Sequence, residues 1–91
     1  MAYTYIYKSN GEVIETSPKN EKDFSLKELK EIVGGYIEIL DLKDAYMVIN
    51  EEGKLLNLPF NLNATRTYQH FARIGDYIVG DVLVCSKEQI Q

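Results

Sequence analysis

The chain has 91 residues and a formal net charge of −4, and 45% of its residues are hydrophobic while 26% are charged. This composition is typical of a globular domain and excludes a disordered or membrane-embedded chain. A chain of this length buries only about 60–65% of its unfolded surface, so we expect one domain with a thin core. The acidic balance lacks the basic stripe of phosphate binders, and no apolar run approaches the roughly 18 residues of a membrane span, so neither nucleic acid nor a membrane is an expected partner.

The start of the chain and its single cysteine indicate the compartment. Residues 1–8 read as a strand and lack the basic region, apolar run and cleavage site of a signal peptide, which predicts a cytoplasmic protein. Cys85 ends an apolar run, where a buried thiol is expected. The one histidine, His70, falls on a separate predicted helix and is interpreted as a surface residue, so no nucleophile and base pair is predicted.

The first half of the chain predicts a hairpin followed by a well-marked helix. Residues 3–8 and 12–16 alternate as strands around the turn 9–11, whose Asn-Gly pair supplies the positive φ angles of a tight hairpin. Ser25 and Glu28 predict a capping box, and Phe24 and Leu29 predict a hydrophobic staple at the same helix start. The predicted apolar stripe of this helix, which ends at Gly34, consists of Leu26, Leu29, Ile32 and Val33.

The second half predicts further strands and a second helix. Residues 36–40 and 45–49 read as strands joined by a polar turn, and a turn at 50–53 predicts a short return strand at 54–56. Asn61 predicts the start of a helix that ends at Gly75, with one face made of Ala64, Tyr68, Phe71 and Ala72. The final run, 77–84, is interrupted at 80–81 by either a β-bulge or a turn that divides two strands. Residues 1–91 are therefore predicted to form a single α+β domain with two α-helices packed on a mostly antiparallel β-sheet.

Four sequence blocks, at residues 32–38, 50–54, 58–65 and 76–81, read IVGGYIE, NEEGK, LPFNLNAT and DYIVGD. In this order and spacing they resemble the family catalogued as domain of unknown function 3846, over nearly the whole chain from residue 5 to residue 84. The resemblance implies a small bacterial protein encoded by a bacteriophage, plasmid or other mobile element, and it implies the fold. It brings no catalytic residues.

The double glycine is the first candidate site. Gly34 and Gly35 indicate either a tight reversal from helix to strand or a backbone that another group approaches closely, and we interpret them as the hinge that folds the helix onto the sheet. Tyr36 and Glu38 are the first side chains after this hinge. Glu38 is either a solvent-side carboxylate or a hydrogen-bond anchor for a ligand or a partner.

Two further sets of residues are candidates for binding. Asn61 is interpreted as a helix cap, and with Thr65 in the next turn it marks free backbone N–H groups that could hold a phosphate or a carboxylate, so a small anionic ligand is one predicted partner. A stripe of tyrosines on the first strand is predicted either to be buried against a helix or to form an exposed interface. Its members are Tyr3, Tyr5 and Tyr7.

These observations predict a non-enzymatic binding protein that acts on a host factor or sequesters a small ligand, and that self-associates. No cofactor motif is present, and the adjacent Glu51 and Glu52 of the turn are expected to point apart, so no metal site is predicted. One alternative is a small hydrolase or nucleotide-modifying enzyme, with its acid and base drawn from Glu38, Asp76 and Asp81. Another is a nucleic-acid accessory protein with a local basic patch of Arg66 and Arg73.

Overall fold

The computed structural model describes residues 4–72 and 76–90. Within these ranges the chain forms one five-stranded antiparallel sheet, two α-helices and a terminal 3-10 helix, which confirms the predicted α+β class. The strands lie in the order β2-β1-β5-β4-β3, so β5 is central while β2 and β3 are the edges. The elements are β1 Tyr5–Tyr7, β2 Val13–Glu15, α1 Leu26–Val33, β3 Ile37–Asp41, β4 Tyr46–Asn50, α2 Leu62–Ala72, β5 Val82–Cys85 and the 3-10 helix Lys87–Gln89.

The two helices cover opposite faces of the sheet. Successive side chains of a strand point to opposite faces, so neighbouring residues of β4 and β5 enter different clusters. On one face, Val48, Leu83 and Cys85 pack with Phe24 and with Leu29 and Val33 of α1. On the other face, the buried cluster consists of Leu42, Met47, Ala64 of α2, Ile78 and Val82. The domain therefore has three layers, and its small core is divided by the sheet.

The predicted start of α1 is confirmed. The Glu28 Oε1 atom accepts from the Ser25 N–H at 2.8 Å, and the Ser25 hydroxyl accepts from the Glu28 N–H at 3.1 Å. Phe24 and Leu29 lie in the same buried cluster, as the staple requires. Leu26, the first residue of the predicted stripe, is 61% exposed and does not belong to the buried core, whereas Leu29 and Val33 do.

The first hairpin has a different turn from the one predicted. Among its turn residues only Gly11 has positive φ, at 100°, and the N–H of Lys8 donates to the carbonyl of Glu12 at 2.8 Å. These features describe a three-residue loop that ends in a glycine bulge, whereas the tightest hairpins need two consecutive residues with positive φ. Strands β1 and β2 then pair in register, with Tyr7 opposite Val13.

The predicted return strand at residues 54–56 is wrong. The N–H of Leu56 donates to the carbonyl of Glu52 at 2.9 Å, and Asn57 has a φ of 54°, so residues 51–57 form consecutive turns.

Residues 77–84 are divided at positions 80–81, as one of the two predictions stated. Val79 forms only an isolated bridge with Phe60, and β5 begins at Val82. The predicted end of α2 at Gly75 lies outside the described residues. No helix in the described ranges is long and apolar enough to cross a membrane.

Candidate functional site

A pocket of about 210 Å³ opens on the α2 face of the sheet. Strand alternation places Glu38 and Leu40 of β3 on this face, and Ile49 of β4 lies opposite Glu38 in the strand register. The apolar part of the lining comes from Leu40, Leu55, Ile49, Ile78 and Val79. The polar and aromatic part comes from Glu38, Asn50, Glu51, Lys54, Tyr68, Asp76 and Tyr77. The pocket thus combines an apolar interior surface with charged groups and two tyrosine rings.

The only cation of the described lining is already paired. Lys54 Nζ donates to Asp76 Oδ1 at 2.7 Å and lies 4.2 Å from the centroid of the Tyr77 ring. The hydrogen bond from Lys54 is the main cause that lowers the pKa of Asp76, followed by the N–H of Tyr77, which donates to the same carboxylate at 2.8 Å. The same contact raises the pKa of Lys54. The ammonium is therefore held by groups of the pocket wall.

Glu38 and Glu51 carry the remaining charge. Neither carboxylate has a hydrogen-bond or ion-pair partner among residues 4–72 and 76–90, and both side chains are exposed. Three carboxylates against one ammonium give the lining a formal charge of −2. The pocket therefore presents unpaired negative charge beside an apolar surface, an arrangement that favours a cation over an anion.

Asn50 connects this pocket to the end of α1. Its Nδ2 donates to the carbonyl of Val33 at 3.1 Å, and its Oδ1 accepts from the N–H of Glu52 at 2.8 Å. The N–H of Glu51 donates to the carbonyl of Tyr36 at 2.9 Å, which extends the ladder between β3 and β4 by one pair. These bonds fix the position of the turn that carries Glu51 and Lys54.

The residues of the predicted hinge set have different structural roles. Gly34 has a φ of 81°, and its N–H donates to the carbonyl of Lys30 at 2.8 Å, which confirms its role as the end of the helix. Tyr36 is exposed, with Lys30 Nζ lying 5.1 Å from its ring centroid. Of the predicted hinge set, Glu38 alone lines the pocket. Gly35 therefore belongs to the turn between α1 and β3, and Tyr36 lies on the surface. Neither residue lines this pocket.

Asn61 and Thr65 lie in the interior. The Asn61 Nδ2 donates to the carbonyls of Tyr7 and Gly80, both at 2.8 Å, and its Oδ1 accepts from the N–H of Ala64 at 3.0 Å. The Thr65 hydroxyl accepts from the Ile78 N–H at 2.9 Å and donates to the Ile78 carbonyl at 3.2 Å. The helix-capping role of Asn61 is confirmed. The anion site at these two residues stays a prediction, and the pocket described above does not include it.

The two described members of the tyrosine stripe, Tyr5 and Tyr7, lie on the α2 face of the sheet. Tyr7 packs against the cluster that contains Met47 and Val82, which agrees with the prediction of burial against a helix. Tyr5 and Tyr7 also line a second, mainly apolar pocket of about 230 Å³, together with Phe71 of α2. Tyr3 lies outside the described residues.

The carboxylates of the enzyme alternative are not all brought together. Glu38 and Asp76 share the pocket, but Asp81 lies at the first hairpin, where its Oδ1 accepts from the Ser9 N–H at 2.9 Å. The lowered pKa of Asp76 is opposite to the shift that a general acid needs at neutral pH. The described residues contain no group of three or more His, Cys, Asp or Glu side chains that could hold a metal ion.

The other candidate side chains have structural or surface positions. Cys85 is buried, and burial raises the pKa of its thiol to about 11, so it lacks the thiolate that a nucleophile requires. His70 is exposed and its ring lies 4.7 Å from that of Phe71, edge to face. Arg66 is exposed on α2, and Arg73 lies outside the described residues, so the basic patch stays a prediction.

Sequence reasoning missed most of the pocket. Lys54, Tyr68 and Tyr77 come from three different segments, and no spacing in the chain relates them. The residues of the lining that the sequence analysis did single out are carboxylates: Glu38 within an apolar strand, Asp76 as a candidate acid or base, and Glu51 in its turn. The family model described as Domain of unknown function (DUF3846) matches residues 6–90. A search of curated proteins and a search of solved structures each found no significant match.

Proposed function

Because this chain belongs to the DUF3846 family of unknown function, its role must be inferred from its own surface, and we propose that it is a non-enzymatic binding protein. Its binding site is the pocket between β3, β4 and the segments 51–55 and 76–79. The ligand is a positively charged group attached to an apolar body. The observation that supports this proposal is the pair of carboxylates, Glu38 and Glu51, that have no partner among the described residues and lie beside the apolar surface of Leu40, Ile49 and Ile78.

The size of the pocket supports a ligand of side-chain dimensions. Drug-sized ligands occupy pockets of about 300–1,000 Å³, whereas this pocket measures about 210 Å³. A group the size of a lysine, arginine or tyrosine side chain is therefore the largest that it accommodates. Both a free organic amine and a basic side chain of a host protein meet this description.

The arrangement of Lys54 supports a cation as well. An incoming carboxylate or phosphate would have to compete with Asp76 for the ammonium and would meet Glu38 and Glu51 nearby. An incoming ammonium meets two carboxylates that need no rearrangement. Tyr68 and Tyr77 add aromatic surface against which an apolar body packs.

The four sequence blocks support a further part of the proposal, which is that a phage or mobile element encodes the protein and that it acts in the bacterial cytoplasm. The genes that flank its coding sequence test this origin directly. Native mass spectrometry of the protein purified from a bacterial lysate tests the mode of action, because a retained small molecule and a retained host protein differ greatly in mass.

Two matched probes test the pocket itself. Tyramine and 3-(4-hydroxyphenyl)propionate share one ring and one linker and differ in the sign of their charge. In a nuclear magnetic resonance titration we expect tyramine, and not the carboxylate, to shift the backbone amide signals of Glu38, Glu51 and Ile78. Equal shifts with both probes, or none with either, would contradict the proposal.

A matched pair of variants assigns the binding to the carboxylates. Exposed charge contacts contribute about 0.2–1 kcal/mol, so Glu38→Gln should weaken tyramine binding by about 1.4- to five-fold. Glu15→Gln removes an exposed strand carboxylate on the opposite edge of the sheet and should leave the affinity unchanged. An equal loss in both variants would indicate attraction to the net charge of the protein rather than binding in the pocket.

A further inference from the structure

Strand β3 is an edge of the sheet, and some of its backbone groups have no partner within the part of the chain that the structure describes. The N–H of Glu51 donates to the carbonyl of Tyr36, and the N–H of Leu42 donates to the carbonyl of Ala45, both at 2.9 Å, so these pairs are the hydrogen-bonded ones of the antiparallel ladder. Such pairs alternate with pairs whose N–H and C=O groups point away from the neighbouring strand. The outward groups of β3 therefore belong to Ile37, Ile39 and Asp41.

We propose that a second copy of this chain pairs with β3 in antiparallel orientation, about a two-fold axis at Ile39, to form a continuous ten-stranded sheet. In this register Ile39 lies opposite the partner's Ile39, and Ile37 lies opposite the partner's Asp41. Each of the three outward residues supplies one donor and one acceptor, so the two copies exchange six backbone hydrogen bonds. The occupant is a second copy because the two-fold register pairs every outward group of β3 and places each carboxylate of the strand opposite an apolar residue.

The charges of the strand are compatible with this pairing. Glu38 lies opposite the partner's Leu40, and Asp41 lies opposite the partner's Ile37, so no two carboxylates are directly opposed. Like charges directly opposite each other would destabilise a strand pair. The two Glu38 residues are diagonal neighbours, about 7–8 Å apart by standard sheet geometry. Asp41 is further neutralised by Lys87, whose Nζ lies 3.0 Å from its Oδ1.

The other edge of the sheet is a weaker candidate. Strand β2 has three residues, and the alternation of its hydrogen bonds leaves only Val13 and Glu15 with outward backbone groups. Self-pairing of β2 would therefore form four hydrogen bonds instead of six. Strand β3 has five residues, and since the central side chains of both strands, Ile39 and Ile14, are 41% exposed, the longer ladder is what distinguishes β3. An exposed apolar edge of this kind is a template for strand pairing unless another chain covers it.

The pairing also places the two pockets beside the dimer axis. Glu38 lines the pocket and in the dimer has the partner's Leu40 as its cross-strand neighbour. Dimerisation would therefore add apolar surface at the rim of each pocket.

Charge substitutions on the two edges test the proposal. Light scattering coupled to size-exclusion chromatography should give a dimer for the unmodified protein. Ile39→Lys places two ammonium groups opposite each other at the axis and should give a monomer, whereas Val13→Lys, at a residue 50% exposed on β2, should remain a dimer. An unmodified protein that is monomeric at its highest soluble concentration overturns the proposal. So does a dimer that Val13→Lys dissociates and Ile39→Lys does not.

A cysteine variant tests the register independently of any loss of folding in Ile39→Lys. A hydrogen-bonded antiparallel pair has its Cα atoms about 5.5 Å apart, which lies within the range that a disulfide spans. Under mild oxidation Ile39→Cys should form a covalent dimer, and Val13→Cys should not form one at a comparable rate. A folded Ile39→Cys protein that stays uncrosslinked overturns the proposed axis.

Discussion

The amide side chain of Asn50 lies directly against the backbone of Gly35. Its Nδ2 donates to the carbonyl of Val33 at 3.1 Å, and a Cβ atom on Gly35 would lie 3.0 Å from the same nitrogen. Gly35 does not have positive φ, and a Cβ at this position would crowd the Asn50 amide, whereas Gly34 has a φ of 81°, which its own backbone makes unfavourable for other residues. The two adjacent glycines therefore serve different physical purposes.

A double-mutant cycle tests this relationship. Asn50→Ala removes the donor to a buried carbonyl and should lower the free energy of unfolding by about 1–3 kcal/mol. Gly35→Ala should destabilise the unmodified protein, because its Cβ displaces the Asn50 amide, and should cost much less in the Asn50→Ala background. Urea denaturation of the four proteins measures the coupling. Additive effects would contradict the contact, and Gly11→Ala, at an open site on the first hairpin at the opposite edge of the sheet, serves as the control that should be additive.

Asn61 should be among the most sensitive positions of the chain. It is fully buried, and Asn61→Ala leaves the carbonyls of Tyr7 and Gly80 without this donor and removes a helix cap, which predicts a loss of about 2–5 kcal/mol. Asn63 lies two residues further along the chain. Asn63→Ala removes only an exposed hydrogen bond of 3.3 Å and should lower the free energy of unfolding by about 0.5 kcal/mol or less. Thermal or urea unfolding of both variants provides the comparison. Similar losses in the two would argue against the interior role of Asn61.

The ion pair in the pocket predicts a titration. Because the folded-state pKa of Asp76 is lowered, its contribution to stability is present above the ordinary value of 3.8 and is lost as the pH falls through the lower folded value. Lys54→Met removes the hydrogen bond that is the main cause of the lowered pKa, so the pKa of Asp76 should rise towards 3.8. Nuclear magnetic resonance of the Asp76 side-chain carboxyl carbon measures this change. Lys27→Met, an exposed change on α1, should leave this pKa unaltered. If the pKa of Asp76 is the same in Lys54→Met as in the unmodified protein, the ion pair between Lys54 and Asp76 does not form in solution.

The thiol of Cys85 should be unreactive in the folded protein. With a pKa of about 11, only about one part in a thousand is thiolate at pH 8, and the side chain is fully buried. Labelling by a disulfide reagent should therefore be slow without denaturant and fast once urea unfolds the chain. Val13→Cys, which adds an exposed thiol, should label rapidly at that position without denaturant and serves as the control. Rapid labelling of Cys85 in the folded, unmodified protein would contradict its placement in the core.

Local features of the fold were predictable from spacing alone. The Ser25 and Glu28 capping box, the end of α1 at Gly34 and the cap at Asn61 each depend on residues within one helical turn, so their partners are visible in the chain. The prediction of a short return strand at 54–56 was wrong because a turn followed by two adjacent apolar residues does not show whether a strand partner exists. Here the N–H groups bond within the turn instead.

The α+β class, the start and end of α1, and the carboxylate that interrupts β3 follow from the chain alone, because each depends on local periodicity or on capping within a few residues. Three other features become visible only in the folded chain: the two helices lie on opposite faces, Asn50 packs against Gly35, and Lys54, Asp76 and Tyr77 meet beside Glu38. These relationships join residues distant in the chain, from 15 positions apart for Gly35 and Asn50 to 39 for Glu38 and Tyr77. Strand register and chain crossing bring them together, and neither leaves a spacing that a linear pattern reveals.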